Sequence, residues 1–278
     1  MTTLKIVSYN IHKGRSAMGT RESLAALRLG LYNLQPDLVF LQEVQGRNEK
    51  RYSLDGQHES LAAVLNMQVA YGCNAIRPRS DHGNALLSRF PILQFENQDV
   101  SDHRMEQRGL LHAVVEIKGT PVHCLVVHLG LFGGGRSRQV AALVERIKRL
   151  VPEDEPILIA GDFNDWNNRL APLFVEQLGL YEVFAVAPQV QDPRLLRRIR
   201  HTLAVKPKAL AQTVHELGVN GAARLTPPPR TFPAAFPWLR LDRIYQRGFA
   251  VHSAKVLHGA PWRQISDHAP LLAELELP

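Results

Sequence analysis

The stretch Pro156-Ile157-Leu158-Ile159-Ala160-Gly161-Asp162-Phe163-Asn164-Asp165-Trp166 constrains this chain more than any other. Four consecutive apolar residues, two of them isoleucine, suit a strand covered on both faces. Gly161 lets the backbone turn, and Asp162 and Asn164 follow two residues apart. In an extended segment such side chains lie on one side. A carboxylate and an amide oxygen therefore converge at the carboxyl end of a buried strand. Hard divalent cations and phosphoryl chemistry both use oxygen groups placed in this way. An Asp/Asn-rich turn leading into a helix accounts for the same residues equally well. The other strands have to choose between the two.

The chain repeats the pattern. Leu4 to Tyr9 reads as a strand with Asn10 at its end, and Leu38 to Leu41 as another with Glu43 just past it. Between them Leu24, Leu27, Leu31 and Leu34 mark a helix, with Thr20 as its cap. That spacing predicts a βαβ-like unit. A second helix around Leu61, Val64 and Leu65 leads to a strand over Val69–Cys73, and another runs from His82 until Pro91 ends it. Leu110–Ile117 and Val122–Val127 read as an antiparallel pair ending at His128. The loop Gly130-Leu131-Phe132-Gly133-Gly134-Gly135 lacks the Gly-Lys-Ser/Thr ending of a phosphate-cradling loop and reads as a plain connection or a lid. Val140 to Val151 follow helical spacing, and Pro172 and Gly179 bracket a short helix. Leu241–Tyr245, with Asp242 near its start, and Ala269–Leu277, preceded by Ser266-Asp267-His268, close the series. Strands interleaved with helices, with antiparallel pairs late in each half, predict a two-sheet α/β sandwich with helices outside.

Within 278 residues and a net charge of +7, the excess is concentrated. Between Pro188 and Arg230 stand eight basic residues against two acidic ones, which marks 188–230 as a basic insertion, with a helix over Ala209–Leu217, in a single domain spanning 1–278. Such a segment suits nucleic acid or an anionic membrane surface, although a solvated excursion is the plainer account. Cys73 and Cys124 lie in apolar, strand-like surroundings, as reduced thiols of a cytoplasmic protein would. There is neither a membrane-length apolar run nor a signal-like amino terminus, and no obligate protein partner is evident.

Asn10, Glu43, His128, Asp162, Asn164, Asp242, Asp267 and His268 share a property: nearly all stand at or just beyond the end of a buried-strand pattern. One such carboxylate is usually just exposed. Eight together point to one rim, where α/β folds gather active sites. The matching pieces Ser8-Tyr9-Asn10, Leu41-Gln42-Glu43, Val127-His128, Gly161-Asp162-Phe163-Asn164, Leu241-Asp242-Arg243-Ile244 and Ser266-Asp267-His268 give the chain a resemblance to the endonuclease/exonuclease/phosphatase superfamily. Gly83-Asn84-Ala85-Leu86-Leu87-Ser88-Arg89 and Arg230-Thr231-Phe232-Pro233 look most like its compact stand-alone bacterial members.

The resemblance implies a four-layer α/β sandwich and hydrolysis of a phosphodiester or phosphomonoester by in-line attack of water. It makes Glu43 the principal Mg²⁺ ligand, with Mn²⁺ as the alternative ion, and Asn10 and Asp267 its supports. Asp162 would handle the water and Asn164 hold water or phosphate. His268, oriented by Asp242, would donate to a phosphate oxygen, and His128 would act as general acid toward the leaving group. Asn84 and Arg243 stand in matching phrases as substrate contacts. His12 occupies the place where the AP endonucleases carry an aspartate, and would touch substrate phosphate unless it is a plain surface histidine. The substrate is left open among nucleic acid, a phospholipid headgroup and a small phosphoester, and a nuclease working through the basic insertion is the nearest alternative. A non-catalytic scaffold that kept the fold would be expected to lack some of the eight positions, and none is missing.

Overall fold

Apolar residues on both faces of most strands demand cover on both faces, and the chain supplies it in four layers. The structure, a computed structural model, describes residues 2–49, 56–103, 106–187 and 227–277. Most of the basic segment at 188–230, with its expected helix over Ala209–Leu217, lies outside them. β1 (Thr2–Asn10), α1 (Leu24–Leu34) and β2 (Leu38–Asn48) form the anticipated unit, with Ile6 to Asn10 paired in parallel to Leu38 to Gln42. Then follow α2 (Gln57–Leu65), β3 (Gln68–Arg77), β4 (Ser80–Ser88), β5 (Ile92–Asp99), β6 (Gly109–Ile117), β7 (Thr120–His128), α3 (Gly133–Leu150), β8 (Ile157–Asp162) and α4 (Leu170–Leu178). β9 (Tyr181–Glu182), α5 (Val183–Val186), β10 (Asp242–Arg247), β11 (Ala250–Val256), α6 (Trp262–Ile265) and β12 (Leu271–Leu277) complete the described chain.

Two six-stranded mixed sheets result, in the orders β11-β12-β1-β2-β4-β3 and β5-β6-β7-β8-β10-β9. Leu4, Ile6, Phe40 and Leu86 of the first sheet pack against Ala113, Cys124, Leu158 and Ile244 of the second, forming the core between the sheets. Val7, Tyr9, Leu41 and Ala85 face outward beneath α1, α2 and α6. Val127, Ile159 and Tyr245 face outward beneath α3 and α4. The predicted sandwich is the observed one. Cys124 is buried on β7 and Cys73 half-buried on β3, both as free thiols. Among the described residues no helix is long and apolar enough to cross a membrane.

Four local readings change. β5 and β11 are strands with no apolar run: each lies at a sheet edge, where polar residues face water. Thr20 does not cap α1; the helix starts after Ser23, whose hydroxyl instead donates to the Ile265 carbonyl at 2.6 Å. The glycine-rich loop is shorter than its sequence suggests, because Gly133–Gly135 form the first turn of α3. Arg136 opens that helical ladder by donating its N–H to the Phe132 carbonyl at 2.9 Å.

One glycine holds the second sheet close to the site. Gly161 pairs with Val127 in the parallel β7–β8 register and has φ +150°. A Cβ there would strike the Val127 carbonyl oxygen. Gly161→Ala should therefore cost about 2–4 kcal/mol through backbone strain and overpacking. Urea denaturation measures it, and a loss within experimental error would show that β7 and β8 can part without consequence.

Candidate active site between the two sheets

The alternation that builds the inter-sheet core also builds the site. On β1 the inward series Leu4, Ile6, Ser8 continues to Asn10; on β7, Val122, Cys124 and Val126 continue to His128; on β8, Leu158 and Ala160 continue to Asp162. β10 runs the other way and begins its inward series with Asp242 ahead of Ile244. Register places His128 beside Asp162 and Asp162 beside Asp242, so three strands present their polar residues in one row. Where the apolar inner face stops, these groups fill the mouth of the gap.

Glu43 reaches the rim by a different device. Leu41 and Val44 both belong to the outer core although they are three residues apart, because the β2–β4 register shifts between them. Without that bulge Glu43 would share Leu41's face and point into the helix-covered core. The bulge holds Glu43 at φ +54° and turns it out. His12 (φ +47°), Lys13 (φ +57°) and Asn164 (φ +49°) adopt the same left-handed region. Elsewhere in the described chain Gln35 and Asn66 use it as helix caps, but these four use it around one centre, where strained backbone is characteristic of functional sites.

Asp162 is the hub. Its Oδ2 lies 3.3 Å from Asn10 Nδ2, 3.5 Å from His128 Nε2 and 3.7 Å from His268 Nε2. Its Oδ1 accepts the Asn164 N–H at 3.0 Å, and the Asn164 amide donates to the Leu129 carbonyl at 2.9 Å. His268 Nδ1 and Asp242 Oδ2 are hydrogen-bonded at 2.9 Å, and Phe232 packs on the imidazole with centroids 5.0 Å apart. Ser266 Oγ donates to the Asn10 carbonyl at 2.7 Å and so ties the segment carrying Asp267 to β1. Asp267 Oδ1 lies 3.7 Å from His12 Nδ1, and Glu43 Oε2 lies 3.4 Å from Lys13 Nζ. Asp162, Asp242 and His268 each place one ligand atom within 4.8 Å of the others, a group that could hold a metal ion.

Charge and burial oppose one another across this cluster. Burial raises the Asp162 carboxyl to about 6, with the nearby Asp242 adding to it and His268 working against it. For His268 burial works to lower the pKa, but Asp242, through charge and hydrogen bond, with Asp162 and Asp267, lifts it to about 10. Burial alone would raise Glu43; positive charge on His128 when that ring is protonated, and on Lys13, His12 and His268, overrides it and brings the carboxyl down to about 2. Burial, joined by Arg108, holds His128 well below the ordinary histidine value. These directions favour the imidazolium form of His268 and the neutral ring of His128.

Of the three predicted substrate contacts, only His12 lies on the rim. Asn84 is fully buried on the inner face of β4, its amide donating to the carbonyls of Gly109 at 2.9 Å and Val126 at 3.3 Å. Arg243 is also fully buried, its guanidinium donating to the Asp242 carbonyl at 2.9 Å and the Asp165 carbonyl at 3.0 Å. It braces the loop that carries Asn164 against β10. Lys13, His82 and Arg108 were not singled out from the sequence. Burial, with Lys13 adding to it, pushes His82 down to about 4, and Glu43 opposes the shift. His82 was legible in principle, since it precedes Asn84 and Leu86 on the inner face of β4 at the same two-residue spacing.

Asp242→Asn should keep the hydrogen bond but remove the charge, so the His268 pKa falls from about 10 by at least about one unit. An NMR titration of the His268 ring reads this directly, and an unmoved titration would take Asp242 out of its orienting role.

Comparison with known proteins agrees with this geometry. Residues 7–268 match the Endonuclease/Exonuclease/phosphatase family. The Escherichia coli (strain K12) protein YbhP, described as uncharacterized, is 37% identical over 99% of this chain and 97% of its own length. An endonuclease/exonuclease/phosphatase structure from Beutenbergia cavernae superposes with TM-score 0.72 at 18% identity, covering all of this chain and 72% of that one. Zebrafish (D. rerio) TDP2 complexed with a single-strand DNA product superposes with TM-score 0.64 at 20% identity, over 99% of this chain and all of that one. The chain belongs to the endonuclease/exonuclease/phosphatase family, and with it to the hydrolases of phosphoester bonds.

Proposed function

We propose that the chain hydrolyses a phosphodiester or phosphomonoester by metal-assisted, in-line attack of water, with Asp162 as general base. One observation carries this reading: a buried carboxylate, raised toward neutral pH, surrounded within 3.7 Å by Asn10, His128 and His268. A base works best when its pKa lies near the working pH. Asp162 takes a proton from the attacking water as the bond from that oxygen to phosphorus forms and the bond to the leaving oxygen breaks. Asn10 and Asn164 hold the carboxylate in place through their contacts with its two oxygens. The His268 imidazolium, held by Asp242, donates to a non-bridging phosphate oxygen as charge develops there. We assign His128 a neutral hydrogen-bonding role rather than that of proton donor, because burial, joined by Arg108, works against its charged form.

Two carboxylates and an amide fit a hard cation at the other side of the rim. Glu43 and Asp267 are partly exposed, with side-chain exposures of 21% and 26%, and the Asn10 Oδ1 accepts the His12 N–H at 3.1 Å. An all-oxygen set with room for water suits Mg²⁺, or Mn²⁺ in its place. The Asp162–Asp242–His268 group suits it less, since His268 is protonated there and already bonded to Asp242. A divalent cation at Glu43 would supply charge against the phosphoryl oxygens and the leaving group.

Purified protein with Mg²⁺ and a bis-aryl phosphodiester should show turnover that chelation or Glu43→Ala abolishes. Asp162→Asn should lower kcat by about 10²–10⁴, and undiminished turnover would remove Asp162 as the base. Asp162 must be deprotonated and His268 protonated. The kcat/KM profile should therefore rise with pH through about 6 and fall through about 10. A profile flat from pH 5 to pH 8, about one unit below and two above the Asp162 value, would contradict the assignment.

A further inference from the structure

Large exposed apolar side chains concentrate on the loops around the site. Met18 (86% exposed) follows β1, Leu131 (52%) and Phe132 (66%) follow β7, Trp166 (40%) follows β8, and Phe236 (80%) and Trp238 (58%) precede β10. Among the described residues, the other exposed large apolar side chains are scattered over α1, α2, the end of α3 and the edge strands β3 and β5. His128, Asp162 and Asp242 stand level in register, and Asn10 joins β1 to the same row. All four loops therefore leave the molecule at one end. The loop bearing Phe236 and Trp238 is fastened to the site, with the Ala234 N–H donating to the Asp267 carbonyl at 2.6 Å. Met18 and Ala235 wall a cleft of about 710 Å³ together with Pro261, Ile265, Arg21 and Arg263.

Two kinds of polymer or surface would use apolar groups beside a phosphoester site. Stacking of unpaired bases needs flat π-faces, backed by protein. Trp166 has such backing, with the Arg136 guanidinium 5.2 Å from its ring. Met18 and Leu131 have no π-face, and Met18 and Phe236 project almost free of packing. Apolar side chains projecting from several loops around one rim suit insertion into the interfacial layer of a lipid surface. Charge agrees: on the described loops of this rim, outside the site itself, Arg15, Arg21, Arg169, Arg230 and Arg240, with Arg263 of the neighbouring α6, outnumber Glu22 and Asp165. Such a set is attracted to anionic lipid.

We propose that this rim docks the protein onto an anionic phospholipid surface and that the phosphoester hydrolysed is one presented there. The second half rests on the phosphoesterase reading; the docking can be measured without it. The full chain should sediment with phosphatidylglycerol vesicles and much less with phosphatidylcholine vesicles, and its tryptophan emission should shift to shorter wavelength on binding. The variant Met18→Ser/Phe236→Ser/Trp238→Ser should bind about tenfold or more weakly, yet turn over a soluble bis-aryl phosphodiester at the unmodified rate. Leu131→Ser/Phe132→Ser, on a separate loop, should repeat that pattern. Absence of vesicle binding in protein that hydrolyses the soluble ester would overturn the docking and leave the hydrolase reading intact. Vesicle binding undiminished in both variants would overturn it too, by assigning the attachment to other residues. Binding of a single-stranded oligonucleotide in place of vesicles, weakened in the same variants, would make the rim a nucleic-acid platform instead. Vesicle binding lost in both variants, in protein inactive on every phosphoester tested, would support the docking and sink the function reading.

Discussion

Burying the Asp162 carboxylate between two sheets is the constraint to which the rest of the centre answers. At 2% exposure it has lost its water, and a carboxylate in that position is tolerated only with close partners. Those partners come from both sheets: Asn10 from the first, His128 from the neighbouring strand of the second, and His268 from the approach to β12. The distance between them is set by the apolar core beneath, where Ile6, Phe40, Cys124 and Ala160 pack without exposure. The chemistry at the rim therefore depends on packing several residues away.

The upward shifts of Asp162 and His268 follow from the same arrangement. A second carboxylate, Asp242, stands beside both groups and raises both pKa values, which disfavours the charged form of Asp162 and favours that of His268 because one group gains charge on losing a proton and the other on binding it. Asp162 is thereby made a stronger base, and His268 is favoured in its charged form. Glu43 escapes that pressure by lying among cations across the rim. One cleft thus holds a carboxylate suited to accepting a proton and another suited to facing a cation, with different surroundings as the cause.

Legibility differed between elements for identifiable reasons. Strands covered on both faces announced themselves as apolar runs: β1, β6, β7 and β8 were found with their ends nearly in place, and β2 by its first four residues, although it runs on to Asn48. Edge strands β5 and β11 carry polar residues toward water and left no run to find. Arg243 and Asn84 were recognisable as motif residues but not as buried ones, because nothing local says that a guanidinium will spend its donors on the carbonyls of Asp242 and Asp165. Lys13 stands beside His12 and Arg108 just ahead of β6, neither at the carboxyl end of an apolar run, so no pattern marked them.

Local sequence determined which residues end the strands: apolar alternation requires two covered faces, and it stops at Asn10, His128 and Asp162 in the letters themselves. The family motifs, in order along the chain, determined the kind of chemistry those residues serve. Only the tertiary structure decided which face each strand turns toward the other sheet, because a run apolar on both sides is symmetric in sequence. It also decided that Glu43 points outward, since the register shift between Leu41 and Val44 exists only when β2 meets β4. The protonation of the centre was decided there as well, because it depends on burial and on distances between residues far apart in the chain.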